Sequence, residues 1–434
     1  MKNYELVLTK NFSLSDSHKM GPYLGQGGYE SARKVLTSWK SEQVIDEIKK
    51  SNLRGLGGAG FPAGVKWSFI PKNSQKPKYV VVNADEGEPG TFKDRYILSK
   101  DPHALVEGII IAAFAIGSHK AFVYIRGEYV EPALALKNAI DEAYQNGFLG
   151  HGIFNTSYDM DIVVHMGAGA YICGEETALL ESLEGKKGFP RLKPPFPAVS
   201  GLFGCPTVIN NVETLACVPR IIHRGADWFA QLGCEKNGGT RLYSLSGHVK
   251  KPGIYELPLG TPLREMIYEH AGGILDDRRL KAVIPGGISS SILRVDEIDI
   301  KMDFNSLQAA GSMLGSAGVM VMDETTCMLD MLHVAARFFA HESCGQCSPC
   351  RQGTGWLLKI VERIRSGDGR RTDLDNLLDI AQNMMGTTIC AFGDAAPAPF
   401  ISYINKFRPE FEYHIEHGKC EFEKLVIASE SVFF

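Results

Sequence analysis

Residues 342–351 read Glu-Ser-Cys-Gly-Gln-Cys-Ser-Pro-Cys-Arg, and a further cysteine stands at position 390. Cys344, Cys347 and Cys350 are each separated by two residues, so their thiols can point into one compact cluster. Cys390 can then supply the fourth corner. Iron–sulfur cubanes use this spacing, whereas structural zinc usually takes two separated Cys-x-x-Cys or histidine pairs. The spacing predicts a [4Fe–4S] centre, with a zinc site or idle thiols as the alternatives.

The composition is that of a globular chain. It has 434 residues, of which 44% are hydrophobic and 22% are charged, and this length predicts several domains. The formal net charge of −4 gives no general basic surface for nucleic acid. The longest apolar run, residues 108–117, is about half of the length needed to cross a bilayer and predicts a buried helix. We therefore expect neither nucleic-acid binding nor direct insertion into a membrane.

The N-terminus and the cysteine count indicate the compartment. Residues 1–6 show neither the hydrophobic region of a signal peptide nor the Arg/Ser-rich pattern of a transit peptide. Ten cysteines in a chain that is not exported suggest a reducing compartment, where clustered cysteines bind metal more often than they form disulfides. The cysteines outside the cluster are expected to be buried small hydrophobic residues: Cys173, Cys205, Cys217, Cys234, Cys327 and Cys420.

Changes of pattern along the chain predict an order of domains. Residues 1–63 form an N-terminal segment that ends in an amphipathic helix pattern and a glycine-rich loop. Residues 64–237 alternate short β-rich runs with longer helical runs, which predicts an α/β domain with a mostly parallel sheet. Residues 238–324 predict a small α+β domain, and residues 325–434 predict a helical bundle that is interrupted by the cysteine loop.

Individual elements follow from the same patterns. In the α/β part the predicted strands are residues 79–82, 121–125 and 161–165, and the predicted helices are residues 103–116, 132–144 and 175–183. In the α+β part the predicted strands are residues 241–249, 253–257 and 319–322, and the predicted helix is residues 263–270.

The loop from Arg54 to Trp67 is rich in glycine. Its Gly-x-Gly-x-x-Gly run follows a helix-like segment instead of the strand that a Rossmann fingerprint requires, so that match is weak. Glycines without a Cβ let planar rings and phosphates approach the backbone, and Lys66 adds a positive charge. A flexible surface loop is the alternative, and the bulky Phe61 and Pro62 argue against it.

Two further segments place acidic residues at predicted strand ends. Residues 83–94 follow the first strand, so Asp85, Glu86 and Glu88 fall at its C-terminal edge, the usual ligand crevice of an open α/β sheet. Carboxylates at this edge can accept hydrogen bonds from ribose hydroxyls and repel a 2′-phosphate. The alternative interpretation of this segment is a solvated acidic turn without a ligand. Residues 167–177 repeat this arrangement of strand, small residues and acidic helix start. With the glycine loop, these segments predict a site for a flavin and a nicotinamide dinucleotide.

The chain resembles the NADH- and FMN-binding flavoprotein subunit of respiratory complex I of the bacterial type. The likeness extends over nearly the whole chain and rests on the cysteine run and on residues 54–67, 83–94, 167–177, 190–197 and 210–214. This resemblance implies an α/β fold with a Rossmann-like flavin/NADH-binding domain. This domain would be followed by a small β-grasp domain that is similar to soluble-ligand-binding domains. A C-terminal helical bundle would carry the iron–sulfur cluster.

The resemblance also implies which residues hold the cofactors. FMN would lie at Gly55, Gly57, Gly58, Ala59, Gly60, Lys66, Asn83, Asp85, Glu86, Gly174, Glu175, Asn210, Asn211 and Thr214. NADH would lie over the flavin, near Phe61, Lys66, Phe69, Glu88, Tyr171, Glu176, Lys193 and Phe196. The four cysteines correspond to the [4Fe–4S] ligands of the family. Leu56 stands where relatives commonly carry arginine, and Phe392 stands where leucine is more usual.

The implied activity is that of an NADH:quinone oxidoreductase. Hydride would pass from C4 of NADH to N5 of FMN without a catalytic side chain, while Glu88 and Glu176 position NADH. Electrons would then pass singly to the [4Fe–4S] cluster and onward toward quinone. The implied partners are a thioredoxin-like [2Fe–2S] subunit and a large iron–sulfur subunit of complex I. The complex would hold this chain peripherally on the cytoplasmic side of the inner membrane.

Two other functions also fit parts of this sequence. The diaphorase subunit of an NAD-linked hydrogenase or formate dehydrogenase has the same core, often with an extra ferredoxin-like or thioredoxin-like module. This chain starts close to its glycine loop and ends soon after Cys390, which favours complex I. A non-catalytic binding module is the second alternative, since residues 240–322 resemble a soluble-ligand-binding domain. The flavin segments argue against that function for the whole chain.

Overall fold

The structure is a computed structural model that describes residues 4–422. The ends of the predicted N-terminal segment and of the predicted helical bundle, residues 1–3 and 423–434, lie outside the described residues.

A parallel sheet forms the first part of the chain. Its strands are β1 (Tyr79–Ala84), β2 (Lys120–Ile125), β3 (Asp161–Met166) and β4 (Thr207–Asn211), in the order β3-β2-β1-β4. Val80, Val81 and Val82 are fully buried, as expected for a parallel sheet with helices on both faces. The three predicted strands are confirmed, each one or two residues longer. Strand β4 is not among the predicted strands, because it is short and ends in two asparagines, which are depleted in strands.

Helices surround this sheet. They are α1 (Met20–Gly25), α2 (Glu30–Ser38), α3 (Ser41–Lys50), α4 (Ala63–Ser68), α5 (Asp94–Lys100), α6 (Pro102–Ile116), α7 (Val130–Gln145), α8 (Glu176–Leu183), α9 (Pro197–Ser200), α10 (Val212–Arg224) and α11 (Ala226–Leu232). The longest apolar run lies in α6, which is buried on nearly all sides, so the predicted buried helix is confirmed. A Cβ at Gly108 would collide with the backbone oxygen of Leu215, and this glycine therefore lets α6 approach α10 closely.

A mixed sheet forms the second part. Its strands are β5 (Thr240–Gly247), β6 (Gly253–Pro258), β7 (Leu280–Ile284), β8 (Leu293–Arg294) and β9 (Gly318–Asp323), in the order β6-β5-β9-β7-β8. Its helices are α12 (Leu263–Glu265) and α13 (Phe304–Ala309).

The sequence predicts one regular helix over residues 263–270, and this is wrong after Glu265. Residues Met266–His270 form a π-helical turn, in which the N–H of Ala271 donates to the oxygen of Met266 at 2.9 Å. Gly272 and Gly273 follow with positive φ and turn the chain at once, so a regular last turn does not form.

The last part of the described chain is helical. Its helices are α14 (Met328–Glu342), α15 (Ser348–Arg365), α16 (Asp373–Met384), α17 (Phe392–Ala395) and α18 (Pro397–His417). Leu332, Leu357, Leu377 and Ile404 are fully buried between them and supply the core of this part. The cysteine loop connects α14 to α15. Within residues 4–422, no helix is both long enough and apolar enough to span a membrane.

Candidate active site

A cavity of about 630 Å³ lies at the C-terminal ends of β1 and β4. The strand order changes direction here, because β2 and β3 lie on one side of β1 and β4 lies on the other. Open α/β sheets bind ligands at such a point, and the volume is that of a small-molecule or cofactor site. The rest of the cavity wall comes from the other two parts of the chain. The second sheet region contributes Ser289 and Ser316, and the helical part contributes Met385 and Phe392.

The structure brings about half of the predicted site residues together in this cavity. Those that line it are Gly57, Gly58, Ala59, Asn83, Asp85, Glu86, Glu88, Tyr171, Gly174, Glu175 and Asn211. Those that do not line it are Gly55, Gly60, Phe61, Lys66, Phe69, Glu176, Lys193, Phe196, Asn210 and Thr214.

The glycine loop folds back on itself beside the cavity. The N–H of Gly55 donates to the oxygen of Phe61 at 2.8 Å and closes the loop. A Cβ at Gly57 would lie only 2.9 Å from the Cβ of Asn211, so the backbone approaches the end of β4 as closely as glycine permits. Gly58 has a φ of +141°, and a Cβ there would meet nothing within 4 Å. The loop therefore presents bare backbone to open space.

Asn210 and Thr214 hold this loop in place from behind. Thr214 is fully buried, and its hydroxyl accepts a hydrogen bond from the N–H of Leu56 at 2.8 Å. The side-chain oxygen of Asn210 accepts from the indole N–H of Trp67, also at 2.8 Å. These contacts position the loop on β4 and α10. The two residues therefore hold the loop in position and are not themselves part of the cavity wall.

Asp85 faces the cavity with an unsatisfied carboxylate oxygen. Its side chain is 8% exposed, and Oδ2 has no hydrogen-bond partner among residues 4–422. Burial raises the pKa of Asp85 to about 7, although the positive charge of Arg126 acts in the opposite direction. Buried polar atoms are nearly always hydrogen-bonded, so this oxygen marks a place where a ligand hydroxyl or N–H belongs.

Glu86 lines the same cavity, but its carboxylate already has partners. It accepts the backbone N–H groups of Lys93 and Asp94, both at 2.9 Å, and the hydroxyl of Tyr129 at 2.7 Å. Burial raises its pKa to about 7. Glu86 thus ties the start of α5 to β1 and shapes residues 87–94 around the cavity.

Lys93 is a buried cation in the cavity wall that the sequence analysis did not select. Its side chain is 1% exposed, and Nζ lies 2.7 Å from Asp94 Oδ1 and 2.8 Å from Glu213 Oε2. Burial alone would lower its pKa, but Asp94 and Glu213 outweigh that effect and raise it. The one sequence feature that could have identified Lys93 as a cavity residue is its position within the acidic segment 83–94. Glu213 lies on another strand–helix unit, so the pairing itself had no sequence signal.

Glu88 and Tyr171 are joined across the cavity. The hydroxyl of Tyr171 donates to Glu88 Oε2 at 2.6 Å, while the N–H and hydroxyl of Ser289 donate to Oε1 at 2.8 and 2.6 Å. Burial raises the pKa of Glu88. The N–H of Tyr171 in turn donates to Glu342 at 3.1 Å, and Glu342 begins the cysteine run. This chain of contacts links the cavity to the cysteine loop.

Glu176 lies between two lysines next to the cavity. Its carboxylate is 2.9 Å from Lys66 Nζ and 2.8 Å from Lys193 Nζ, and Lys193 also contacts the cavity residue Glu175 at 3.1 Å. Burial alone would raise the pKa of Glu176, but the two ammonium groups outweigh it and lower the pKa to about 2. Glu176 is therefore ionised at neutral pH.

Three aromatic side chains near these lysines are unusually exposed for their size. Phe61 and Phe69 flank α4, which carries Lys66, and their rings lie 6.0 Å apart. Phe196 follows the segment of Lys193. Phe61 is 46% exposed, Phe69 is 54% exposed and Phe196 is 58% exposed. Exposed aromatic rings beside charged groups suit the stacking of a planar ligand.

The four clustered cysteines converge on one apolar patch. Cys344 and Cys347 lie in the loop before α15, Cys350 lies in its first turn, and Cys390 precedes α17. All four contact the hydrophobic cluster that contains Phe392. Burial raises the pKa of Cys350, and it raises the pKa of Cys390 to about 11. The donor set consists of sulfur alone in an apolar setting, which fits an iron–sulfur cluster.

Comparison with known proteins identifies the family. Residues 48–220 match the Nuo51 FMN-binding domain, residues 330–414 match the NADH-ubiquinone oxidoreductase-F iron-sulfur binding region, and residues 242–289 match the SLBB domain. The F 2 subunit of NADH-quinone oxidoreductase from Rhizobium meliloti (strain 1021) is 53% identical over 419 residues, which are 96% of this chain and 100% of that one. The F subunit from Mycobacterium tuberculosis (strain H37Rv) is 54% identical over 400 residues, or 91% and 89% of the two chains. The chain belongs to the family of NADH-quinone oxidoreductase F subunits.

The solved structures agree with this family assignment at the level of the fold. An NAD+-reducing [NiFe]-hydrogenase in the air-oxidized state superposes with a TM-score of 0.81 at 37% identity, over 92% of this chain and 67% of that chain. The predicted family, fold class, oxidoreductase activity and cofactors FMN and [4Fe–4S] are confirmed. The individual cofactor contacts and the division into domains stay predictions.

Proposed function

We propose that this chain oxidises NADH over an FMN held in the cavity and passes the electrons to a cluster on Cys344, Cys347, Cys350 and Cys390. One observation carries the proposal. Ala391 and Phe392 line the cavity and directly follow Cys390 in the chain. The wall of the flavin cavity is thus continuous with a cluster ligand. FMN, when bound, supplies two-electron chemistry with NADH and one-electron chemistry with the cluster.

The glycine loop and the end of β1 supply the proposed FMN contacts. Gly57 and Gly58 leave room for a ring or a phosphate against bare backbone. The unpartnered Oδ2 of Asp85 accepts a hydrogen bond from a hydroxyl of the flavin side chain. The amide of Asn83 donates to the oxygen of Gly174 at 2.8 Å and holds the opposite wall. Asn210 and Thr214 contribute by supporting the loop.

The lysine–glutamate group and the exposed aromatics supply the proposed NADH contacts. Glu176 is an ionised carboxylate whose charge is balanced by Lys66 and Lys193. It accepts hydrogen bonds from ribose hydroxyls and disfavours a 2′-phosphate. Phe61, Phe69 and Phe196 offer ring surfaces, while Glu88 and Tyr171 orient the nicotinamide end.

The proposed setting is the electron-input arm of complex I. The chain would contact a thioredoxin-like [2Fe–2S] subunit and a large iron–sulfur subunit, on the cytoplasmic side of the inner membrane. Family membership at 53% identity over 96% of the chain supports this. The structural likeness to an NAD+-reducing hydrogenase supports a second candidate, the diaphorase subunit of such an enzyme.

Two experiments test the proposal. Anaerobic NADH should bleach the flavin of the purified protein and produce a low-temperature EPR signal, and Cys347→Ser should abolish or strongly alter that signal. An unchanged signal, or zinc in place of iron at the cluster, contradicts the cluster assignment. The partners recovered with the tagged native chain separate the two settings. A quinone-reducing complex supports complex I, whereas a hydrogen-oxidising complex supports the diaphorase.

A further inference from the structure

A second group of metal-ligating side chains lies at the other end of α14. The ligand atoms of Cys327, His414 and Cys420 all lie within 4.8 Å of one another. Cys327 directly precedes the first residue of α14, whereas Cys344 lies two positions after its last residue. The 15-residue helix is about 22 Å long at 1.5 Å per residue, so the two cysteine sites are separate.

One separation between these ligand atoms matches that of a tetrahedral zinc site. Cys327 Sγ lies 3.4 Å from His414 Nε2. In a tetrahedral site with Zn–S of about 2.3 Å and Zn–N of about 2.0–2.1 Å, neighbouring S and N ligands lie about 3.5 Å apart. The imidazole thus already stands at the correct separation from the thiol.

Each sulfur also accepts a backbone hydrogen bond. The N–H of Asp330 points to Cys327 Sγ at 3.5 Å, and the N–H of Phe422 points to Cys420 Sγ at 3.3 Å. Such N–H groups stabilise negative charge on sulfur, and the start of α14 adds the positive end of a helix dipole at Cys327. Burial raises the pKa of the Cys327 thiol, so a bound cation would have to displace its proton.

The site has room for a fourth ligand. His414 and Cys420 line a cavity of about 690 Å³ together with Asp330, His333 and Glu362. His414 is 6% exposed, while Cys420 is partly exposed, so the site is closed on the protein side and open toward this cavity. Water can complete the coordination from the open side.

We propose that Cys327, His414 and Cys420 bind a zinc ion, distinct from the iron–sulfur cluster. Two thiolates and one imidazole are the donors that zinc prefers, and they exclude hard cations such as Mg²⁺ and Ca²⁺. The ion would join the segment after α18 to the start of α14. Its role is structural, because the ion would tie together parts of the chain that are 87 positions apart.

The test compares the metal content of the intact complex in two variants. Cys420→Ser removes one partly exposed ligand, and Cys234→Ser removes a partly exposed cysteine outside this group. The zinc-to-FMN ratio, measured by elemental analysis, should fall by one in Cys420→Ser and stay at the parental value in Cys234→Ser. FMN content serves as the folding control for both variants.

A second measurement covers the case in which Cys420→Ser does not assemble. In the parental complex treated with chelator, added Zn²⁺ should slow alkylation of Cys420 at least tenfold, as followed by peptide mass spectrometry. Equal zinc-to-FMN ratios in Cys420→Ser and the parent overturn the proposal. It is also overturned by Zn²⁺-independent alkylation, or by recovery of Cys327 and Cys420 as a disulfide.

Discussion

The ammonium group of Lys66 lies 2.9 Å from the carboxylate of Glu176, although 110 positions separate them in the chain. Lys66 comes from α4 after the glycine loop, and Glu176 begins α8. Lys193 contacts the same carboxylate from a third segment. A single negative charge is therefore shared by two cations beside the cavity. We expect the nucleotide preference of the enzyme to depend on this balance.

Replacing Glu176 by glutamine should weaken the preference for NADH over NADPH. The variant leaves Lys66 without its counter-charge and leaves Lys193 with Glu175 alone, so a 2′-phosphate becomes less unfavourable. The ratio of kcat/KM for NADH to that for NADPH should fall about tenfold, or about 1.4 kcal/mol. Glu181→Gln on the same helix, where Glu181 contacts Arg191, is the matched control. An unchanged ratio in Glu176→Gln contradicts the role of Glu176.

Replacing Asp85 by asparagine should reduce the pH dependence of stability in the flavin-free protein. The pKa of Asp85 is about 7 in the folded state, against an ordinary value of 3.8, so the folded state binds this proton more tightly. Stability therefore falls as pH rises from about 4 to about 7, and the variant lacks this contribution, on the order of 2–4 kcal/mol. Glu86, whose pKa burial also raises to about 7, keeps its own contribution in the variant.

Urea unfolding at pH 5 and pH 7.5 measures this effect. The stability of Asp85→Asn relative to the parent should be higher at pH 7.5 than at pH 5. Asp46→Asn, at an exposed carboxylate on α3, is the control and should show no such difference. Parallel pH dependence in Asp85→Asn and the parent would mean that Asp85 is solvated in the flavin-free protein.

Replacing Gly58 by valine should abolish flavin binding. The Cβ position at Gly58 is free of protein atoms within 4 Å, so the branched side chain would extend into the space next to the cavity. Gly185 also has a positive φ, of +79°, and free space at its Cβ position. Gly185→Val therefore carries a similar backbone penalty away from the cavity. The amount of bound FMN, measured after release by acid, should fall at least tenfold in Gly58→Val and stay at the parental value in Gly185→Val. An equal loss of FMN in both variants would mean that backbone strain causes the loss.

Replacing Cys350 by serine should separate the two half-reactions. In the proposed function, hydride transfer needs the cavity, whereas electron delivery needs the cluster next to it. With the flavin retained, NADH reduction of ferricyanide should stay within about twofold of the parental rate, while quinone reduction by the assembled complex should be lost. Cys234→Ser should keep both activities. Quinone reduction at the parental rate in a folded, flavin-loaded Cys350→Ser complex would exclude this cluster as the exit path.

Local pattern made much of the fold predictable. Strands β1, β2 and β3 and the buried helix α6 follow from runs of β-branched and apolar residues, which act within a few positions of the chain. β4 escaped the sequence analysis because it is short and ends in Asn210 and Asn211. The π-helical turn after Glu265 was not predicted, because the spacing of apolar residues does not distinguish the hydrogen-bond pattern of a π-helix from that of an α-helix.

By itself, the sequence determined which cofactors to expect, since the cysteine spacing, the glycine-dense loop and the acidic segments are each local patterns and together carry the family resemblance. Only the tertiary structure decided which residues share a site. It placed the Lys93 ammonium against Glu213, and it placed Thr214 behind the glycine loop. It also brought Cys327 to His414, 87 positions away. These contacts join segments with no common local pattern, because burial and strand order create them only when the layers pack together.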